Sequence, residues 1–177
     1  MQCSLARSLE VIGDWWSPLV LRDLFLGLDR FEQLVADLGI SRNLLTDRLA
    51  TLVAGGVVAR EPYQEHPVRH RYVLTDAGRE LVPVLPALTA WGDRWVTPDG
   101  GAPLQVHHDG CGTATTPTVC CSACGSALHA DDVSASPGPG GRTAPGTALL
   151  ATVLSGAPAA QEVSNLPAAE STQSNTD

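Results

Sequence analysis

The sequence predicts a mainly α domain with one small β-hairpin, then a small metal-stapled segment and a disordered tail. Three observations lead there. All eight aromatic residues of the 177-residue chain lie at or before Trp95. Residues 98–177 instead hold 18 glycines and prolines and only 11 Leu, Ile, Val, Met or Phe, too few to build a core unaided. Within the first half, apolar residues recur at helical spacing and then give way to two β-branched runs. The expected boundaries are 1–97 for the folded domain, 104–135 for the metal-stapled segment and 136–177 for the tail.

The elements follow in order. Leu5, Leu9 and Ile12 have a helical period. Asp14–Trp16 interrupts it, and Ser17-Pro18 reads as the N-cap and first residue of a second, mostly apolar helix over Leu19–Leu28. Asp29 is the expected cap of a short third helix that shows Phe31, Leu34, Val35 and Leu38 on one face and ends at Gly39. Ser41 is the next N-cap. Leu44, Leu45, Leu49, Leu52 and Val53 repeat at helical spacing up to Gly55-Gly56. The third helix, the tight Gly39-Ile40-Ser41 turn and the fourth helix together make a helix-turn-helix. Val57–Pro62 and Val68–Thr75 then read as a hairpin whose tip carries His66, Arg69, His70 and Arg71. That order, helices and then a basic-tipped hairpin, is the winged-helix order. A terminal helix from about Asp76 to Trp95 carries Leu81, Leu85, Leu88, Trp91 or Gly92, and Trp95, a stripe suited to a dimer seam. Pro83 and Pro86 are expected to kink it or delay its start. The acidic residues Asp23, Asp29 and Asp37 read as caps or solvated positions.

Charge narrows the function. The net charge is −8 and the pI is about 4.9, which argues against a generic nucleic-acid coat. Gly39–Tyr72 nevertheless holds five Arg against three acidic residues, a local basic face suited to a DNA reader. Ser41 at a helix N-terminus would bring backbone N–H groups to phosphate. Arg42, Asn43, Thr46 and Arg48 project away from the leucines, and Arg42 or Asn43 can reach a base edge. Arg69, His70 and Arg71 would grip the flanking backbone or minor groove, with Arg71 partly structural. No nucleophile–base pair or phosphate loop is present, so no enzyme is expected. The longest apolar run, Ala148–Leu154, is far below the ~20 residues that span a bilayer. No signal peptide is visible, and a cytoplasmic protein is the expectation.

The cysteines point to a metal. His108-Asp-Gly-Cys111-Gly112 and Cys121-Ser-Ala-Cys124-Gly125 share one form: ligand, two residues, Cys, Gly. Two such turns predict a zinc-ribbon-like segment holding one structural zinc through His108, Cys111, Cys121 and Cys124. The metal would supply the folding energy that the composition lacks. His107, Cys120 and His129 are alternative ligands, and an oxidisable Cys120–Cys124 cluster is the competing reading.

An ordered set of residues also carries a resemblance. It runs from Cys3-Ser-Leu-Ala-Arg7 through Ile12-Gly-Asp-Trp-Trp16 and Leu21-Arg-Asp-Leu24 to Phe31-Glu-Gln-Leu34. It continues with Gly39-Ile-Ser-Arg-Asn-Leu-Leu-Thr-Asp-Arg-Leu49, Arg71-Tyr-Val-Leu-Thr-Asp-Ala-Gly78 and Trp91-Gly92. Over residues 3–95 the chain resembles HxlR-type winged-helix regulators, within the wider MarR-like group. Ser4 departs from the family's usual Pro after the first Cys. The resemblance implies a homodimeric cytoplasmic transcription factor, and the reading is a regulator that binds double-stranded DNA sequence-specifically and acts as a repressor. A dimer would place two reading helices about one DNA turn apart, so an inverted repeat is expected. In some relatives a cysteine at the place of Cys3 senses oxidants or electrophiles, which makes a thiol switch the first alternative function. A protein-interaction module is the second. A small-molecule or oxidant effector fits the regulator reading.

Overall fold

The computed structural model describes residues 3–96, 101–141, 144, 146, 147 and 149–154. Residues 8–132 form one compact unit, and the residues before and after it group separately. Most of the expected tail, residues 136–177, lies outside the described residues. The part described is irregular apart from a short helix, α7 (Leu150–Leu154), on the apolar run noted above.

Helix α1 (Ser4–Ile12) is followed by α2 (Ser17–Phe25). Ser17 is not the cap of α2 but its first residue. The capping group is Asp14, whose Oδ1 accepts the N–H groups of Trp16 (2.8 Å) and Ser17 (3.0 Å) and whose Oδ2 accepts the Ser17 hydroxyl. A carboxylate three residues ahead satisfies the orphan donors better than a hydroxyl within the first turn. Helix α3 (Phe31–Leu38) is likewise capped by Arg30, not Asp29. The Gln33 side chain accepts the Arg30 N–H at 3.0 Å, while the Asp29 carbonyl is taken by the Tyr72 N–H at 2.7 Å. Gly39 ends α3 in the left-handed region (φ 62°) and donates to Val35, the conformation that favours glycine.

Helix α4 (Arg42–Ala54) starts at the expected Ser41 cap. Strands β1 (Val58–Glu65) and β2 (Val68–Leu74) pair antiparallel from Val58↔Leu74 to Glu65↔Val68, with a bulge between Pro62 and Gln64. The first strand therefore runs three residues beyond the expected Pro62, and only His66-Pro67 forms the tip. The long terminal helix is two helices. Helix α5 (Asp76–Leu81), capped by the Thr75 hydroxyl, ends before Pro83, and α6 (Val84–Trp95) begins after it. Pro86 sits in the first turn of α6, where the N–H it lacks has no intrahelical acceptor anyway.

The core is drawn from α2, α3, α4 and the hairpin: Val20, Leu21, Leu24, Leu34, Ile40, Leu45, Leu49, Leu52, Val57, Val58 and Leu74. Gly78 packs where a Cβ would lie 2.2 Å from the Val57 carbonyl oxygen, so α5 meets the turn before β1 at closest approach. Asp23 is not solvated. Its side chain is 1% exposed and pairs with Arg22 Nη2 at 2.6 Å, and Arg22 also reaches Asp37 at 3.2 Å, tying α2 to α3. Burial pushes the Asp23 carboxyl up, against the pull of Arg22. On α6, Leu85 packs against the core with Leu81 of α5. Val84, Leu88, Trp91 and Trp95 share the other face and are more than half exposed.

Candidate nucleic-acid interface

Helix α4 is built to hold one face still and show the other. Leu45, Leu49 and Leu52 are 0–2% exposed. Their spacing turns Arg42, Asn43, Thr46 and Asp47 to solvent, and all four are exposed. The Ser41 hydroxyl accepts the Leu44 N–H at 3.3 Å, leaving the first amides of the helix directed outward. The Thr46 hydroxyl donates to the Arg42 carbonyl at 2.8 Å.

Arg42 is held by a neighbouring carboxylate. Its two terminal nitrogens donate to Glu32 at 2.7 and 2.6 Å, and its guanidinium lies 5.0 Å from the Phe31 ring centre. The hydrogen bonds from Arg42 hold the Glu32 carboxyl below its ordinary value, and Glu32 raises Arg42 in turn. Arg48 is placed differently from the other α4 residues. It is half-buried and points to Asp14 Oδ2 at 3.5 Å, so it braces the α1–α2 turn against α4.

The hairpin stands beside α3. An isolated bridge pairs Arg30 with Arg71, and with the Asp29–Tyr72 hydrogen bond it fixes the hairpin to the start of α3. Arg69 is exposed. His70 is half-buried, with Nδ1 3.0 Å from an Arg60 nitrogen. Arg71 donates to Glu61 Oε2 at 3.1 and 2.9 Å. An open groove lies between α3 and the hairpin, lined by Arg30, Glu32, Tyr63, Arg69 and His70 among others.

The four expected metal ligands form two pairs. His108 Nδ1 and Cys111 Sγ are 3.5 Å apart. Cys121 and Cys124 interact at the second turn, and the Cys124 thiol is held below its ordinary value by Ser126, first by its side chain and then by its backbone, with Cys121 adding to the effect. The pairs are not gathered into one centre: among the described residues no group of three or more His, Cys, Asp or Glu is placed to hold a metal. Cys3 is half-buried, and its carbonyl accepts the Arg7 N–H at 3.0 Å.

Comparison with known proteins accounts for this arrangement. The model of the HxlR-like helix-turn-helix family matches residues 11–100. The chain belongs to that family. A relative, the uncharacterised HTH-type transcriptional regulator Rv3095 of Mycobacterium tuberculosis, is 42% identical over 137 residues, covering 77% of this chain and 87% of the relative. A match of that length extends past the family's residues 11–100 into the His/Cys segment. Among solved structures, PA1607, assigned as a transcription factor, superposes with a TM-score of 0.67 at 37% identity over 76% of this chain and 94% of its own. PA1374 of Pseudomonas aeruginosa, also assigned as a transcription factor, gives a TM-score of 0.57 at 35% identity over 79% of this chain and 95% of its own. The redox regulator HypR in its oxidised form gives 0.50 at 31% identity over 55% of this chain and all of its own. The chain is thus a winged helix-turn-helix transcriptional regulator that binds DNA, and no helix among its described residues is long and apolar enough to cross a membrane.

Within this HxlR-like fold three further residues that the sequence did not single out as site residues border the candidate interface. Arg30 lies 4.8 Å from the Tyr63 ring centre, Glu32 clamps Arg42, and Arg60 stands beside His70. Arg30 lies nine residues before the basic window that starts at Gly39, and only the backbone bridge to Arg71 brings it there. Glu32 lies ten residues before Arg42 and reads in sequence as an ordinary first-turn acid of α3.

Proposed function

We propose that the chain acts as a homodimer that reads an inverted-repeat operator and represses transcription from it. Helix α4 would enter the major groove through Arg42, Asn43 and Thr46, with Ser41 at the phosphate and Arg69, His70 and Arg71 on the flanking backbone or minor groove. The single observation that carries this reading is the exposed start of α4 on a helix whose opposite face is locked into the core. The bare apolar face of α6, Val84, Leu88, Trp91 and Trp95, supplies a seam at spacings of four, three and four residues, which align on one side of a helix. In the DNA-bound state Arg42 would exchange Glu32 for a phosphate or a guanine edge. Arg48 would contribute by fixing α4 against Asp14.

Binding-site selection from a random duplex pool tests the reading. The expected product is an inverted repeat with half-site centres about 10–10.5 base pairs apart, or a multiple of that. The Arg42→Ala, Asn43→Ala double variant should keep its unfolding midpoint and lose at least about tenfold in affinity for the selected site. Selection of no common sequence, or unchanged affinity in the double variant, overturns it.

A second reading is thiol control of DNA release. It is favoured by the likeness to oxidised HypR and by five cysteines that are all unpaired in this structure. Alkylation of the reduced protein with iodoacetamide should then change operator affinity, and Cys3→Ser should abolish that response if Cys3 is the sensor.

A further inference from the structure

We infer that one zinc ion joins the two His/Cys turns into a single tetrahedral site, with His108, Cys111, Cys121 and Cys124 as its ligands. The ion takes the place of an apolar core in this segment.

The two turns have the same build although no helix or long strand imposes it. In the first, the His108 carbonyl accepts the N–H groups of Cys111 (3.1 Å) and Gly112 (2.8 Å). In the second, the Cys121 carbonyl accepts the Gly125 N–H at 2.8 Å. Gly112 and Gly125 sit at φ 65° and 75°, so each chain reverses directly after its second ligand, at the one residue type that takes this conformation freely. Each turn closes a minimal hairpin. His107–His108 pairs with Thr113–Ala114 as strands β3 and β4, and Cys120 bridges Ala127 while Cys121 N–H donates to Ser126 at 2.8 Å.

Geometry and chemistry then select the ion. With Zn–S about 2.3 Å and Zn–N about 2.0–2.1 Å, two ligands on a tetrahedron stand about 3.6 Å apart. His108 Nδ1 and Cys111 Sγ stand at 3.5 Å, already an edge of that tetrahedron. Three thiolates and an imidazole suit zinc and not the oxygen-seeking calcium or magnesium. None of residues 101–132 is buried, and Leu104, Val119 and Leu128 are exposed, so apolar packing does not hold the segment. Closing the site brings the second turn onto the first through the connector between β4 and Cys120, which is exposed except at the half-buried Pro117. Binding releases the three thiol protons and leaves a closed four-ligand centre, which is structural and not catalytic.

The test uses the full chain, purified reduced. Elemental analysis should find one zinc per chain. Replacement with Co2+ should give the visible bands of a tetrahedral ion and a sulfur-to-cobalt absorption that weakens in Cys111→Ser and in Cys124→Ser. Each of those variants should lose more affinity than the about 10- to 100-fold typical of changes to groups that merely support a ligand. Cys3→Ser, Cys120→Ser and His107→Gln should retain full occupancy. All four tryptophans lie at or before Trp95, so their fluorescence reports whether a variant's winged-helix half remains folded. Chelation should speed amide exchange in residues 104–128 and leave residues 17–74 unchanged. A metal-free chain, one metal shared by two chains, occupancy unaffected by Cys111→Ser, or a disulfide between Cys120 or Cys121 and Cys124 in the reduced preparation would each overturn the inference.

Discussion

Residues 17–74 bury eleven apolar side chains, whereas residues 101–132 bury none. The first region is held by leucines and valines that meet across α2, α3, α4 and the hairpin. The second is held by backbone turns, three left-handed glycines, one two-residue ladder and one isolated bridge. Part of that burial lies directly behind α4, the helix proposed to touch bases. The order of the His/Cys segment rests on chain geometry that, on the inference above, a single bound ion would complete.

The sharpest way to test the contrast is to cut one side chain from each region. Leu49→Ala should cost about 2–5 kcal/mol of unfolding free energy, read by urea denaturation followed through tryptophan fluorescence. Val119→Ala, in the exposed segment, should stay within about 0.5 kcal/mol. Equal losses would show that the two regions share one core.

Gly78→Ala adds a methyl where the Val57 carbonyl leaves no room. It should cost about 1–3 kcal/mol by overpacking and should loosen the hairpin, which amide exchange along β1 and β2 would report. Gly112→Ala meets no atom within 4 Å. It carries only the strain of a positive φ, about 1 kcal/mol, and confines its effect to the first turn.

Asp14→Ala removes the cap of α2 and the partner of Arg48, for an expected loss of about 1–2 kcal/mol at neutral pH. Burial works to raise the Asp14 carboxyl. The Ser17 hydroxyl, the N–H groups of Trp16 and Ser17 and the charge of Arg48 outweigh it, and the group ends below its ordinary 3.8. A carboxyl depressed by folding adds stability above its unfolded value and loses it as pH falls through the folded one. The gap between Asp14→Ala and the parent should therefore narrow as pH is taken below 3.8. A gap constant with pH would remove the carboxylate from the account.

Glu32→Gln has the smallest expected effect. Both partners of the Glu32–Arg42 pair are largely exposed, so the unfolding midpoint should not move. Affinity for a selected operator should rise a few-fold at low salt and less at high salt. Weaker binding would mean that Glu32 orients Arg42 for DNA.

Much of this was legible because periodicity reports burial. The leucines of α4 and the Gly39 stop identified the second helix of the helix-turn-helix and its exposed face. The resemblance to HxlR-type regulators identified the family that the comparisons show. What escaped depended on partners distant in sequence or on choices among near neighbours. Ser17 and Asp29 are good capping residues by type, yet Trp16 and Arg30 take the cap positions, with the Asp14 carboxylate accepting the N–H groups at the start of α2. Asp23 reads as a solvated acid until Arg22 folds back over it. Arg48 lies on the polar side of α4 by spacing, yet a helix beside a turn has an intermediate flank, and Asp14 waits there. The break at Pro83 was legible as a perturbation, but its form, two helices in place of a kinked one, was not. The two His/Cys pairs follow from spacing within each turn, whereas bringing them together depends on a connector whose path no periodicity encodes.

The Glu32 clamp on Arg42 has a consequence for how the protein searches. The free regulator carries its own imitation of a phosphate, already seated in the guanidinium fork. If Arg42 meets DNA as proposed, each landing would begin as an exchange of one anion for another. A stretch of duplex that offers only backbone oxygens gives Arg42 little that it lacks, while a site that adds a base edge tips the exchange. On the proposed reading, part of the discrimination against random DNA would then be set by Glu32 before the protein meets any.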